Sequence, residues 1–162
     1  MRHLRNMFLL RRIAGRMTPV VSACGFVMLL LVSGAIPSRA GQTLAGPYTA
    51  HVERVIDGDT LAVRVPVWIG QELRVLVRVR GIDAPERKGR CAAERALAKR
   101  ASAYLEAIIA GGPVRLSRIS GGKYFGRVLA DVTTAEGNDV ARQLLRRKLA
   151  RPYRGKARAG WC

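Results

Sequence analysis

Apolar residues recur along this chain in three rhythms. Pro19 to Pro37 is almost continuously apolar, centred on Phe26-Val27-Met28-Leu29-Leu30-Leu31-Val32. From Ala50 the rhythm becomes period two, which marks strands with one buried face. His51 to Ile56 reads as a first strand, halted at Asp57-Gly58-Asp59, where Asp-Gly is a common turn dipeptide. Thr60 to Trp68 sets Leu61, Val63, Val65 and Val67 against Thr60, Ala62, Arg64, Pro66 and Trp68. After a turn at Ile69-Gly70-Gln71, Glu72 to Arg80 sets Leu73, Val75, Val77 and Val79 against Arg74, Leu76, Arg78 and Arg80. Gly81 breaks the alternation and predicts a bulge or sharp bend.

From Ala92 to Ala110 the spacing changes to three and four, through Leu97, Ala101, Tyr104, Leu105, Ile108 and Ile109. Glu94, Lys99, Arg100 and Glu106 lie mostly off that stripe, so an amphipathic helix is expected, stopped by Gly111-Gly112-Pro113. A fourth strand, Val114 to Ile119, and a fifth, Val128 to Thr133, flank the glycine-rich loop Ser120 to Arg127. Asn138 is the expected cap of a second helix, Asp139 to Leu149, with Val140, Ala141, Leu144 and Leu145 as its buried stripe. The lead-in Gln42 to Tyr48 and the tail Arg151 to Cys162 carry no periodic signal. The pattern predicts a mainly β, α+β domain: a small five-stranded, partly open barrel of the OB type with two or three helices. A ferredoxin-like or other α+β sheet fits the same pattern.

Charge and cysteines divide the chain. The first forty residues hold Arg2, Arg5, Arg11, Arg12, Arg16 and Arg39 and no acid, and the apolar run is followed by Ser38-Arg39-Ala40. That is the layout of an export signal cut after Ala40, with an uncleaved membrane anchor as the alternative. The mature domain is then residues 41–162, periplasmic or secreted. Lys and Arg number 29 against 11 acids, a net charge of +18, and removing the six arginines of the leader still leaves +12. Such a field favours a polyanion, nucleic acid before an anionic membrane surface. Arginine outnumbers lysine, and its planar fork suits phosphate. Cys91 and Cys162 remain after export to an oxidising compartment, so a disulfide between them is expected, stabilising the fold by a few kcal/mol. Nothing points to an obligate protein partner, and a monomer is expected.

The stretch from Val55 to Glu86 carries the candidate chemistry. Asp57 alone is explained by its turn. Asp59 and Asp83 each lie where an extended run meets a turn, in a chain poor in acids. Neighbouring carboxylates repel unless a cation joins them, and hard divalent ions take oxygens from Asp, backbone carbonyls and water. Only His3 and His51 are present, with no metal-spaced Cys/His cluster, which disfavours zinc. Attack on a phosphodiester needs charge neutralised, a nucleophile activated and a leaving oxygen stabilised. Arg78, Arg127 and Glu86 are available for those parts.

Three blocks, Val55-Ile56-Asp57-Gly58-Asp59-Thr60, Arg78 through Asp83 to Glu86, and Lys123-Tyr124-Phe125-Gly126-Arg127, resemble the staphylococcal nuclease (thermonuclease) family. The resemblance covers about Ala50 to Tyr153. It implies an OB-fold barrel and calcium-dependent hydrolysis of DNA and RNA that leaves 3′-phosphates. It assigns Asp59, Asp83 and the Ala84 backbone carbonyl to the metal, Glu86 to the attacking water, Arg78 and Arg127 to the phosphate, and Asp57 to a place beside the metal acids. Tyr153 would line the nucleotide site. Ala84 replaces a threonine, Phe125 stands where tyrosine is usual, and the long basic C-terminal helix of the namesake is lacking. The alternative function is a basic OB module that binds nucleic acid without cutting it.

Overall fold

The computed structural model describes residues 43–162; the expected export segment, residues 1–40, lies outside them. Eight strands and two helices follow in order among the described residues: β1 (Thr43–Leu44), β2 (Tyr48–Asp57), β3 (Thr60–Trp68), β4 (Gln71–Val79), β5 (Ile82–Asp83), α1 (Ala92–Ile109), β6 (Val114–Gly121), β7 (Arg127–Thr133), α2 (Val140–Arg146) and β8 (Arg151–Pro152). β2, β3 and β4 form an antiparallel meander, β4 pairs in parallel with β7, and β6 joins both β7 and β2. The five strands close a barrel, so no long edge is left unpaired. This is the five-stranded OB-type α+β architecture expected from the sequence.

Closure needs strands that bend. β2 shifts register between Val52 and Arg54 and again between Val55 and Asp57, and β6 shifts between Ser117 and Ser120, where Arg118 has φ of 48°. Such bulges increase local twist and let a strand coil around a small core. The core is made of Leu61, Val63, Val77, Val79, Val114 and Leu116 from the barrel, closed by Ala101 and Leu105 of α1. Val140 and Leu144 of α2 extend it, and Tyr104 Oη donates to Gln143 Oε1 at 3.1 Å between the helices.

Several local expectations are corrected. The alternation in the β3–β4 hairpin holds only for its barrel half: Val67 and Leu73, expected inside, are exposed, because the tip around Trp68 and Ile69 extends beyond the core. Glu94, expected off the helix stripe, is buried, because its carboxylate accepts from the backbone N–H groups of Glu86 and Arg90. α2 is capped by Asp139, whose carboxylate accepts from Arg142 N at 2.8 Å, and not by Asn138. It also ends at Arg146, short of Leu149. Lys148 takes φ of 55°, and the N–H groups of Lys148 and Leu149 donate to Leu145 O and Leu144 O. This is a Schellman reversal with lysine where glycine is usual. It buries Leu149 and turns the chain towards β8. The lead-in and tail, silent in the sequence, supply β1, paired with β6, and β8, paired with β5.

One close approach sets the position of the first acids. A Cβ at Gly58 would lie 2.7 Å from Ala101 Cβ and 2.8 Å from Ala84 Cβ, so glycine lets the β2–β3 turn rest against α1 and the β5 loop. Gly58→Ala is expected to destabilise by about 1–3 kcal/mol through overpacking. Gly121→Ala meets nothing within 4 Å and is expected to stay within about 0.5 kcal/mol. Urea midpoints of the two variants check both; equal midpoints would refute the packing assignment.

Candidate active site

The hairpin from β2 to β3 is so tight that Asp57 pairs directly with Thr60. Asp57 Oδ1 accepts from Asp59 N at 3.2 Å, an Asx-type bond that shapes the turn. Asp59 therefore turns inward, and its backbone oxygen accepts from Val79 N at 2.8 Å, fixing it beside the end of β4. After β4, Gly81 takes φ of 82° and reverses the chain, as expected, into β5 with Asp83. The two acids, far apart in sequence, become neighbours at one end of the barrel.

Both carboxylates are buried: Asp59 is 2% and Asp83 4% exposed. Arg78, which pairs with Thr60 across β3 and β4, spans them. Its Nη1 lies 2.7 Å from Asp59 Oδ1 and its Nη2 3.4 Å from Asp83 Oδ1. Asp59 also accepts from Thr60 Oγ1 at 2.9 Å and from Ala84 N at 2.9 Å. Burial pushes the Asp59 carboxyl up to about 7; Arg78 opposes the rise, the Asp57 charge adds to it, and the Ala84 N–H opposes it. The Arg78 guanidinium does not fully offset the cost of taking Asp59 out of water.

Glu86 follows in the loop after β5, with an exposed side chain. That loop is held from below by Glu94, as described above. Ala84 belongs to the core cluster, so its methyl is spent on packing and only its backbone can serve the site.

Arg127 opens β7, where it pairs with Leu76; two residues on, Leu129 pairs with Arg78. In-register neighbours share a face of a sheet, so Arg78 and Arg127 project to the same side. The loop between β6 and β7 is closed by Gly122 N donating to Arg127 O at 2.9 Å, and the Arg127 guanidinium sits 4.7 Å from the centre of the Tyr124 ring. Tyr153 is drawn in by its N–H bond to Gly81 O at 2.9 Å. With Arg78, Arg127 and Lys123 it lines a cleft of about 640 Å³. A second cleft, of about 510 Å³, contains Asp83, Ala84 and Glu86. Every residue singled out in the sequence is thus at this end of the barrel.

Sequence reasoning missed the lid over the acids. The tail returns across the site, where Arg158 Nε lies 3.1 Å from Asp83 Oδ1 and Arg158 Nη1 2.6 Å from Glu86 Oε1. Trp161 Nε1 donates to Asp83 Oδ2 at 3.2 Å, and the Arg151 guanidinium stacks 3.6 Å from the centre of the Trp161 ring. The expected disulfide is present: Cys162 is joined to Cys91. That pairing was the available signal, since Cys91 lies five residues beyond Glu86 and a bonded Cys162 must bring the tail there. Cys91, Glu94 and Cys162 also cluster as potential metal donors, but the two sulfurs are committed to each other.

A small closed barrel with buried acids at one end and an arginine cleft beside them defines a protein built to engage a phosphate-bearing polyanion. A family model described as staphylococcal nuclease homologue matches residues 76–159, and the chain belongs to that family. Arg78, Asp83, Ala84, Glu86, Arg127 and Tyr153 fall inside the match, while Asp57 and Asp59 precede it. No curated protein matches the chain. Membership gives a nuclease or nucleic-acid-binding function.

Asp59 is the group that links this site to stability. Between its ordinary value of 3.8 and about 7 the folded carboxyl keeps a proton that the unfolded chain has lost. The metal-free protein is therefore expected to lose stability as pH rises through that window. Urea midpoints measured in chelator across it should fall with pH, and Asp59→Asn should flatten the trend. An unaltered slope in the variant would assign the dependence elsewhere.

Proposed function

We propose that the protein is an exported, calcium-dependent nuclease that hydrolyses phosphodiester bonds of DNA and RNA and leaves 3′-phosphate ends. The observation that carries this reading is the Arg78 fork across two buried carboxylates, next to a cleft that also holds Arg127. A hard divalent cation suits the donors there: carboxylate oxygens of Asp59 and Asp83 and the backbone carbonyl of Ala84. The raised Asp59 carboxyl supports the fit, because it marks negative charge that burial leaves undercompensated. When bound, calcium supplies positive charge to a phosphate oxygen and orders a water.

The chain's own residues supply the rest. Arg78 and Arg127, on one face of the β4–β7 pair, hold the non-bridging oxygens of the scissile phosphate and stabilise the charge that grows on them. Glu86 accepts a proton from the water that attacks phosphorus, after giving up its ion pair with Arg158. The new oxygen–phosphorus bond forms as the bond to the 5′ oxygen breaks, so the phosphate stays on the 3′ side. Tyr153 forms part of the wall along which the nucleotide lies. Export is supported by the Cys91–Cys162 disulfide, which persists in oxidising compartments.

A binding module without cleavage accounts for the charge but not for Asp59 and Asp83, whose carboxylates would repel a neighbouring phosphate unless a cation joined them. Incubation with plasmid DNA and with RNA, in calcium and then in chelator, separates the two readings. Cleavage that chelator stops is expected; a shifted but intact band would establish the binder. Glu86→Gln should lower kcat by about 10²–10⁴ and Arg127→Ala by about 10²–10³, both with parental circular dichroism. Parental turnover in either variant would overturn the assigned roles.

A further inference from the structure

Arg158 is the one residue that lines both clefts, the arginine-rich one with Arg78, Arg127 and Tyr153 and the acidic one with Asp83 and Glu86. Its guanidinium joins the two acids, at 3.1 Å from Asp83 and 2.6 Å from Glu86. It does so as part of a tail that has little regular structure of its own. Past Pro152 the tail is held by the Tyr153 hydroxyl donating to Lys156 O at 2.7 Å, by Arg151 reaching Ala159 O and Gly160 O, and by the covalent bond at Cys162. These bonds secure the backbone on both sides of Arg158, while its side chain remains 41% exposed. A long side chain on a fixed backbone can exchange partners without unfolding the tail.

We propose that Arg158 is a third substrate-binding arginine, parked on Asp83 and Glu86 in the metal-free protein and exchanged there for a cation when it turns to a nucleic-acid phosphate. The proposal rests on the functional reading above. Its physical basis is that a divalent cation held by Asp83 sets a second positive charge against the Arg158 guanidinium, 3.1 Å from the same carboxylate, and the two repel. Glu86 Oε1 is likewise taken up by Arg158 Nη1 until that bond breaks. Entry of the cation displaces a positive charge, and the arginine cleft lies within the same residue's reach. The disulfide makes this arrangement local: opening it lets the tail carry Arg158 away from both clefts.

The test uses the purified protein with its disulfide intact. Calorimetric titration with calcium alone, without nucleic acid, should show Arg158→Ala binding calcium about tenfold more tightly than the parent, since a nearby like charge has been removed. Arg158→Lys should fall between them, and Arg142→Ala, on the exposed side of α2, should match the parent. Binding of a short single-stranded DNA, measured with calcium in the Glu86→Gln protein so that the strand stays whole, gives the second readout. Adding Arg158→Ala should lessen the slope of log affinity against log salt by about 0.7, the loss of one phosphate contact. Cys162→Ser, which frees the tail, should move both measurements in the same directions. Unchanged or weaker calcium binding in Arg158→Ala would overturn the proposal, as would an unchanged salt slope. Neither readout requires turnover, so a parent protein that binds calcium and DNA without cutting would refute the nuclease reading while still judging Arg158.

Discussion

Two carboxylates have been taken out of water at one end of this barrel, and one arginine, Arg78, bridges them. Removing one partner of a buried ion pair costs about 3–5 kcal/mol, because the other charge is left without compensation. Arg78 is therefore as much a structural residue as a functional one. It ties the β2–β3 turn, which carries Asp59, to β5, which carries Asp83, from a position on the strand between them. The Ala84 N–H bond to Asp59 and the Gly58 contact with Ala84 close the same junction from the other side. Any change at Arg78 perturbs shape and chemistry together, whereas Glu86 and Arg127 stand outside the buried pair.

The rest of the charge distribution follows from scarcity of acids. Glu53 and Glu72 are taken up by Arg64 and Arg74, and Asp131 by Arg118 and by Arg80, which itself lines the arginine cleft. The exposed pairs of Glu53 and Glu72 contribute little to stability. Arg127 meets the Tyr124 ring, and its guanidinium keeps its donors for a ligand. Arg78, Arg80, Lys123, Arg127, Arg154 and Arg158 line one cleft, and the acids beside it are held by Arg78, Arg151 and Arg158.

Period-two and helical spacing marked the barrel strands and α1 because each has a continuous buried face. The pattern was weaker where burial depends on distant elements. Leu73 and Val67 alternate like their neighbours, yet among the described residues nothing packs over the hairpin tip. Glu94 looks like a surface acid until the loop it anchors is seen. The acids and arginines of the site were legible from turns at strand ends and from motif spacing, since short local segments place them. Arg158 and Trp161 were not, because a tail without periodicity is positioned by side-chain contacts and one covalent bond. Lys148 shows the same limit: nothing in its type announces a left-handed conformation, which here is imposed by the burial of Leu149.

The bond between Cys91 and Cys162 makes a covalent ring of residues 91–162, outside which lie β1 to β5 with Asp59, Arg78, Asp83 and Glu86. One exposed segment of that ring is the loop bearing Tyr124 and Phe125, where a protease would find both a basic residue, Lys123, and accessible aromatics. A single cut there severs the chain between the acids and Arg127, yet the two pieces stay joined through the sulfurs, and the strand pairings on either side of the nick remain in place. Damage at this loop leaves the parts in one molecule.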